Sequence, residues 1–263
     1  MRALPIYLSI LAASTTCVFA ACSSSDDAGT IPPPDGGTDA RTADAAQDTG
    51  VDASTDTGAD ASSDGGQDAD ASPATSRFVT RVVSFNQGTC AGFGADKMPS
   101  VVMGPPHGGG DTQGSLDVVS LGVNGEIVLS FEPNAIVNGP GVDFLVFENP
   151  FNVGGDAQRP YAEPGEVSVS EDGTNWKTFP CTATAYPYGA CAGWHPVHSS
   201  PDNGISPTDP ATAGGDPFDL TDVGLSRAKY VRIKDKSTQP CTSGSVAAGF
   251  DLDGVSIVNA EMP

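Results

Sequence analysis

Residues 143–149 read DFLVFEN and form the most strand-like run of the chain. The turn sequence NGPG at residues 138–141 precedes this run, and Asn149-Pro150 ends it. An uninterrupted apolar run of this length is typical of a buried central strand. Asp143 and Glu148 flank the apolar residues, so we expect the two ends of the strand to emerge at the edges of a β-sandwich.

Further short runs with the same character follow one another through residues 77–263, separated by turns rich in Gly and Pro. No stretch has a convincing helical period. The pair Asn124-Gly125 predicts a tight hairpin between two of the runs, and EDGTN at 171–175 predicts another. The predicted strands are 77–85, 118–121, 126–131, 143–149, 166–170, 176–179, 228–234 and 255–258. This pattern predicts an all-β domain, a β-sandwich of the jelly-roll kind.

Two segments carry a resemblance to a known family. VSVSEDGTNW at 167–176 resembles the V-x-V-S-x-D-G-x-x-W hairpin of discoidin-like, galactose-binding-like jelly rolls, and AKYVRI at 228–233 resembles their A-R-Y-V-R-I strand. The blocks at 120–122, 139–149 and 249–255 are similar to a group of bacterial cell-surface proteins. The resemblance implies a galactose-binding-like jelly roll. It implies no single function, because this fold hosts lectins, adhesion modules and structural domains, and the long insert 180–216 departs from the family pattern.

The N-terminus has the features of an export signal. Arg2 precedes an apolar run, and FAAC at residues 19–22 resembles a bacterial lipoprotein signal in which Cys22 becomes the lipidated first residue. Phe19 stands where that pattern usually has Leu, and the alternative is an ordinary signal peptide cleaved near Ala20 or Ala21. We therefore predict a lipoprotein signal peptide over residues 1–21. We expect the protein to be exported and lipid-anchored at the outer membrane or cell surface. Because Ser and not Asp follows Cys22, the resemblance favours the outer over the inner membrane if the cell is Gram-negative.

Residues 22–76 predict a disordered tether, rich in Asp, Ala, Gly and Thr, ahead of the domain at 77–263. Segments of this composition bury too little apolar surface to offset the entropy of ordering. The whole chain has 33 acidic and 12 basic residues, a net charge of −21. This charge excludes nucleic acid as a natural partner and limits membrane contact to the lipid anchor.

Four cysteines lie within the predicted domain: Cys90, Cys181, Cys191 and Cys241. In an exported protein an even number predicts disulfides, and four cysteines allow three pairings. We favour Cys181–Cys191, which closes a short loop and leaves Cys90–Cys241 to join the start of the domain to its end. A zinc site is the alternative, but the sequence has no Cys-x-x-Cys.

Acidic residues cluster near predicted strand ends and turns, where irregular backbone and carboxylates suit calcium. The resemblance adds to this, since jelly rolls of this kind often hold one structural ion. The alternative is that these acids cap turns or face water. The predicted ligands of a structural Ca²⁺ are Glu148, Asp216, Asp219, Asp251 and Asp253.

The long loop 180–216 contains aromatic residues that could contact a ligand: Tyr186, Tyr188, Trp194 and His195. Sugar rings stack on exposed aromatic faces, and Trp and Tyr also anchor protein interfaces. The alternative is that Trp194 packs the disulfide-closed loop onto the sandwich.

The sequence has few of the residues that catalysis requires. The chain has 3 histidines, and HPVH at 195–198 is not a His-Glu-x-x-His motif. There is also no Gly-x-Ser-x-Gly elbow. We therefore expect no enzyme, but a non-catalytic binding module that recognises a glycan or a surface protein. The alternative is a structural envelope protein without a small-molecule ligand.

Overall fold

The computed structural model describes residues 75–238 and 240–263, which form an all-β fold with fifteen short strands. The predicted signal peptide, Cys22 and nearly all of the predicted tether lie outside the described residues. No helix in the described part is long and apolar enough to cross a membrane.

The largest sheet has five antiparallel strands in the order β1-β3-β12-β8-β9. Its strands are β1 (Arg81–Asn86), β3 (Glu126–Ser130), β12 (Tyr230–Asp235), β8 (Gly165–Ser170) and β9 (Lys177–Thr178). Val, Ile and Leu occupy alternate positions of the three inner strands, which places one apolar face of the sheet against the core.

Smaller ladders make up the rest of the sandwich. A three-stranded sheet has the order β10-β5-β14, and a second has the order β11-β4-β15. Two-stranded ladders join β13 to β2 and β6 to β7. These strands are β2 (Val119–Ser120), β4 (Ala135–Val137), β5 (Phe144–Phe147), β6 (Phe151–Asn152), β7 (Pro160–Tyr161), β10 (Asp216–Phe218), β11 (Arg227–Ala228), β13 (Asp251–Leu252), β14 (Gly254–Ile257) and β15 (Ala260–Glu261). Short 3-10 helices lie at Ala95–Lys97, Ser100–Val102, Val153–Gly155 and Leu220–Val223.

The main core forms where the sheets face each other, and the predicted β-sandwich is confirmed. Alternate residues of the five-stranded sheet, such as Ile127 and Leu129, pack in one cluster with Phe144 and Val146 of β5. The ring of Phe144 also stacks on Phe218 of β10, with the centroids 5.1 Å apart. Burial of these large side chains supplies most of the driving force for this arrangement.

Strand β5 is buried on both faces, which explains its continuous apolar sequence. Phe144 and Val146 face the main core, whereas Leu145 and Phe147 pack in a second cluster with Val197 and Ala213. Val197 and Ala213 belong to the long loop 180–216. The loop therefore covers the outer face of the sheet and is held on it by apolar contacts.

The acidic residues at both ends of β5 are covered by protein and do not reach solvent. Asp143 is fully buried and accepts hydrogen bonds from the backbone N–H groups of Gly139 and Leu220 and from the side chain of Asn259. Glu148, at the other end, is 1% exposed. Both carboxyl groups lie inside the protein because turns and loops close over the ends of the strand.

The hairpin predicted at Asn124-Gly125 is wrong, whereas the hairpin across 171–175 is confirmed by the pairing of β8 with β9. Asn124 has a positive φ of 62°, as a tight turn requires. However, β2 pairs with β13, and β3 pairs with β1 and β12. The backbone of Leu121 pairs with Phe250 and Gly88, so the turn carries the chain from one ladder to another.

Both disulfides are present, with the pairing that the spacing favours. Cys181–Cys191 closes a loop with a sequence separation of 10, and Cys90–Cys241 joins residues 151 positions apart. Disulfides are typical of extracellular or periplasmic proteins. The short bridge lies in the loop that carries the predicted ligand-binding aromatic residues.

Candidate functional site

Glu148, which directly follows β5, has an unusual environment. One carboxylate oxygen, Oε1, accepts a hydrogen bond from the backbone N–H of Asp251 at 3.3 Å. The other, Oε2, is buried and has no hydrogen-bond partner among the described residues. Buried carboxylate oxygens are normally satisfied, so an unpartnered one indicates a missing ligand, a bound proton or strain.

Three buried carboxyl groups meet at this point, and we call Glu148, Glu163 and Asp251 the acidic cluster. One oxygen from each lies within 4.8 Å of the others. Glu163 is in the loop between β7 and β8, and Asp251 is the first residue of β13. None of the three forms an ion pair with a Lys, Arg or His in the part of the chain that the structure describes.

Burial and mutual repulsion raise the pKa values of all three groups. Loss of solvation raises the pKa of Glu148 well above its ordinary value, and the charges of Asp251 and Glu163 raise it further. Burial, with the charge of Asp251, raises the pKa of Glu163 to about 8. The pKa of Asp251 rises to about 6, again mainly through burial, although a hydrogen bond from Ser120 opposes the shift. The bare cluster therefore retains protons near neutral pH.

A cavity of about 300 Å³ leads from the surface to this cluster, and Glu163 and Asp251 line it. Phe151 and Tyr161 stand on its wall with their rings stacked, the centroids 5.3 Å apart. Tyr161 is 44% exposed. The acidic cluster is thus buried but connected to solvent on one side.

The other predicted metal ligands bind protein groups elsewhere. Asp253 accepts two hydrogen bonds from the backbone N–H of His107, at 2.9 and 3.2 Å. Asp219 accepts one from Thr221 N at 2.8 Å and caps the 3-10 helix that begins at Leu220. Of the five predicted ligands, the acidic cluster contains Glu148 and Asp251, and Glu163 is the member that sequence reasoning missed.

Asp216 holds the long loop in place. This residue begins β10, and its carboxylate accepts hydrogen bonds from Gly193 N at 2.6 Å and from the Nδ1–H of His195 at 2.7 Å. Burial raises the pKa of Asp216, while the hydrogen bond from His195 lowers it. The network fixes the backbone at Gly193 and Trp194, next to the aromatic side chains.

The structure brings together the four residues predicted to bind a ligand, and we call Tyr186, Tyr188, Trp194 and His195 the aromatic group. The ring of Trp194 lies 5.8 Å from that of Tyr186, 6.3 Å from that of Tyr188 and 3.6 Å from that of His195, measured between centroids. The indole N–H donates to the carbonyl oxygen of Cys191 at 2.9 Å. Trp194 is half-buried, so it packs the disulfide-closed loop and still presents part of its ring.

A second cavity, of about 340 Å³, lies against the aromatic group. Trp194, Tyr186 and His195 line it, together with the polar side chains of Asp111 and Asn152. A further cavity of about 380 Å³ beside Cys181 and Pro164 is lined mainly by Ala, Thr and Pro, and Tyr188 is its one aromatic lining residue. The 340 Å³ cavity is therefore the one that borders three members of the aromatic group.

The acidic cluster and the aromatic group lie close together. A Cβ atom on Gly193 would lie 2.5 Å from the carbonyl oxygen of Glu163, and its φ of +88° also favours glycine. Gly193 thus brings the backbone next to Trp194 into contact with the backbone of Glu163. The two features are therefore neighbours, although their residues come from distant parts of the chain.

Comparisons with known proteins identify no family. No protein-family model matches the sequence, and no curated protein matches it significantly. One solved structure that is similar is called "Glycoside hydrolase". It has 13% sequence identity, the match covers 54% of this chain and 22% of that one, and the TM-score is 0.25. A superposition of this quality supports no argument about fold or activity.

Proposed function

We propose that this protein is an exported, lipid-anchored and non-catalytic binding module that recognises a glycan through the cavity at the aromatic group. The observation that carries the proposal is the composition of this cavity, in which the rings of Trp194 and Tyr186 stand beside Asp111, Asn152 and His195. Aromatic faces stack on the C–H faces of sugars, and neighbouring polar groups accept or donate hydrogen bonds to hydroxyl groups.

The aromatic group is held in position before any ligand arrives. Three contacts restrain the loop: the disulfide Cys181–Cys191, the hydrogen bond from the indole of Trp194 to Cys191, and the hydrogen bonds to Asp216. A rigid site loses less conformational entropy on binding than a mobile one. This arrangement favours a binding site over a loop that serves only as a cover.

The proposal of a non-catalytic role is supported by the surroundings of the histidines. Within the described residues, the His195 ring hydrogen bonds to Asp216 alone, and the His198 ring bonds to Asp111 at 3.0 Å. No hydroxyl or thiol group in that part of the chain joins either pair, as nucleophilic catalysis would require.

Replacing Trp194 tests the glycan proposal. A panel of bacterial and plant polysaccharides is titrated into the purified protein and binding is followed by calorimetry. We expect Trp194→Ala to weaken binding of the recognised glycan by roughly tenfold or more, since anchoring aromatic residues commonly contribute over ~1.4 kcal/mol.

Trp176→Ala is the matched control for this experiment. Trp176 is also half-buried, but it packs under the guanidinium group of Arg232, 4.6 Å from the ring centroid, and does not line the cavity. Its replacement is expected to leave glycan affinity unchanged. The proposal fails if no polysaccharide binds while a defined envelope protein is captured, which is the result expected of a structural protein.

Replacing Cys22 tests the anchor. If Cys22 is lipidated, Cys22→Ser moves the exported protein from the membrane fraction to the soluble fraction, because the acyl chains supply the membrane affinity. Mass spectrometry of the N-terminal peptide measures the lipid directly. Cys17→Ser is the control, since Cys17 lies inside the predicted signal peptide. Membrane association that survives Cys22→Ser would contradict the proposal.

A further inference from the structure

We propose that the acidic cluster of Glu148, Glu163 and Asp251 binds one divalent cation of the calcium class, with the 300 Å³ cavity as its route to solvent. This inference does not depend on the glycan proposal, because it concerns different side chains. It rests on the charge of the cluster, on one unpartnered oxygen and on the chemistry of the available ligands.

The charge of the cluster needs compensation. Three carboxyl groups lie with their oxygens within 4.8 Å, and the three residues are between 1% and 7% exposed. Ionised carboxylates at such separations repel each other strongly where water does not screen them. No basic side chain among the described residues pairs with them, so a bound cation or retained protons must offset this repulsion.

The unpartnered oxygen of Glu148 is a second and independent observation. Oε2 is buried without a hydrogen-bond donor, although the backbone of Asp251 already bonds to Oε1 of the same group. A neutral carboxylic acid at Glu148 would reduce the repulsion, but either oxygen would still need a donor or acceptor nearby. A cation among the three carboxylates would satisfy this oxygen and neutralise its neighbours together.

The ligand set favours a hard cation. All three side chains offer oxygen, which Ca²⁺ and Mg²⁺ prefer, and the cluster contains no sulfur or imidazole ligand of the kind that zinc selects. Oxygens on opposite sides of a calcium ion lie about 5 Å apart, compared with about 4 Å for magnesium. The three oxygens lie within 4.8 Å of one another, so a single ion of either size could contact all three.

Neighbouring groups orient each ligand. The hydroxyl group of Ser120 donates to Oδ1 of Asp251, the backbone N–H of Gly249 bonds to Glu163, and the backbone N–H of Asp251 bonds to Glu148. Supporting hydrogen bonds of this type hold metal ligands in place in known sites. The cavity leaves room for water to complete the coordination of the ion.

The test uses the full-length mature protein, stripped with EDTA and titrated with CaCl₂ in a calorimeter. We expect one Ca²⁺ per chain and a rise in the melting midpoint as the calcium concentration increases. Glu163→Gln keeps the shape of the side chain but removes its charge, and it should weaken calcium binding roughly tenfold or more. If Glu163→Gln does not melt cooperatively, Asp251→Asn is used in its place. It should also weaken calcium binding roughly tenfold or more.

Asp253→Asn is the matched control. Asp253 is also buried and lies two residues from Asp251, but its carboxylate bonds to the backbone of His107 and is not part of the cluster. Its replacement should leave calcium affinity unchanged. The proposal is overturned if the unmodified protein shows neither binding heat nor a shift in melting midpoint with Ca²⁺, Mg²⁺ or Mn²⁺. It is also overturned if Asp253→Asn weakens calcium binding as much as Glu163→Gln does.

Discussion

Buried carboxyl groups link the stability of this protein to pH. Asp253 is 2% exposed, and burial raises its pKa to about 8, with a further contribution from the charge of Asp117. In the unfolded chain the same group has a pKa of about 4. Between these two values the folded protein holds a proton that the unfolded chain has released. The stabilisation is therefore complete below about pH 4 and is lost as the pH rises toward 8.

Replacing Asp253 tests this dependence. In EDTA, the free energy of unfolding of the unmodified protein should decrease between pH 5 and pH 8, and Asp253 contributes at most ~1.4 kcal/mol per pH unit to the slope. Asp253→Asn should reduce the slope without abolishing it, because Glu163 also has a raised pKa. Urea denaturation at each pH measures the slope. An identical slope in both proteins would contradict the assignment.

Two of the three residues of the acidic cluster could be predicted from the sequence, and the third could not. Glu148 is recognisable because it lies at the end of the strong strand pattern 143–149, and Asp251 because it lies in an acidic segment just before the predicted strand 255–258. Glu163 lies in the loop between β7, which has no clear sequence pattern, and β8. Only tertiary contacts bring it to the other two carboxyl groups. The GGDPFD sequence at 214–219 gave two further predicted ligands, but the structure uses the carboxylates of Asp216 and Asp219 to bind backbone N–H groups.

At the scale of elements, apolar packing against β5 holds the long loop 180–216 in place. Phe147 is fully buried in the cluster with Val197 and Ala213, and a Cβ atom on Gly215 would approach its ring within 2.6 Å. The outer face of β5 and the loop therefore form a second packed layer, and the sites on the loop depend on it.

Shortening Phe147 tests this dependence. Phe147→Ala should lower the free energy of unfolding by about 3–5 kcal/mol, the usual cost of emptying a buried aromatic position. It should also make residues 196–215 exchange their amide hydrogens faster, which hydrogen-exchange mass spectrometry measures. Val83→Ala is the control: Val83 is 43% exposed on β1, and its replacement should change stability by less than about 1 kcal/mol. Unchanged exchange in Phe147→Ala would show that the loop is held by other contacts.

Which strands pair with each other is harder to predict than which segments form strands. The apolar runs at 126–131, 143–149 and 228–234 indicate strands because the pattern is local. The pairing of β2 with β13 is not local, since Phe250 supplies the acceptor for the N–H of Leu121. A turn sequence such as Asn124-Gly125 specifies only that the chain reverses, and it does not specify which strand lies alongside.

At the scale of the whole molecule, strand density and turn composition are sufficient to predict a β-sandwich, and the cysteine spacing favours the observed pairing. The arrangement of the sites is a different matter. The acidic cluster and the aromatic group come from residues 148–251, and the fold brings them next to each other at Gly193 and Glu163. This proximity depends on all the long-range pairings together, so no single motif could reveal it.

The first described segment of the domain is fastened to its last strands. Arg77 donates to the carbonyl oxygens of Ile257 and Val258, at 3.2 and 2.7 Å, and Phe78 forms a bridge with Ser256. If the chain is pulled at its N-terminus, these contacts are the first to bear the force. The force is transmitted first to β14 and then to the main core. The Cys90–Cys241 bond prevents unfolding from the N-terminus from continuing beyond residue 90. If the proposed anchor at Cys22 holds the protein, a pulling force would therefore load the contacts of Arg77 and Phe78 first.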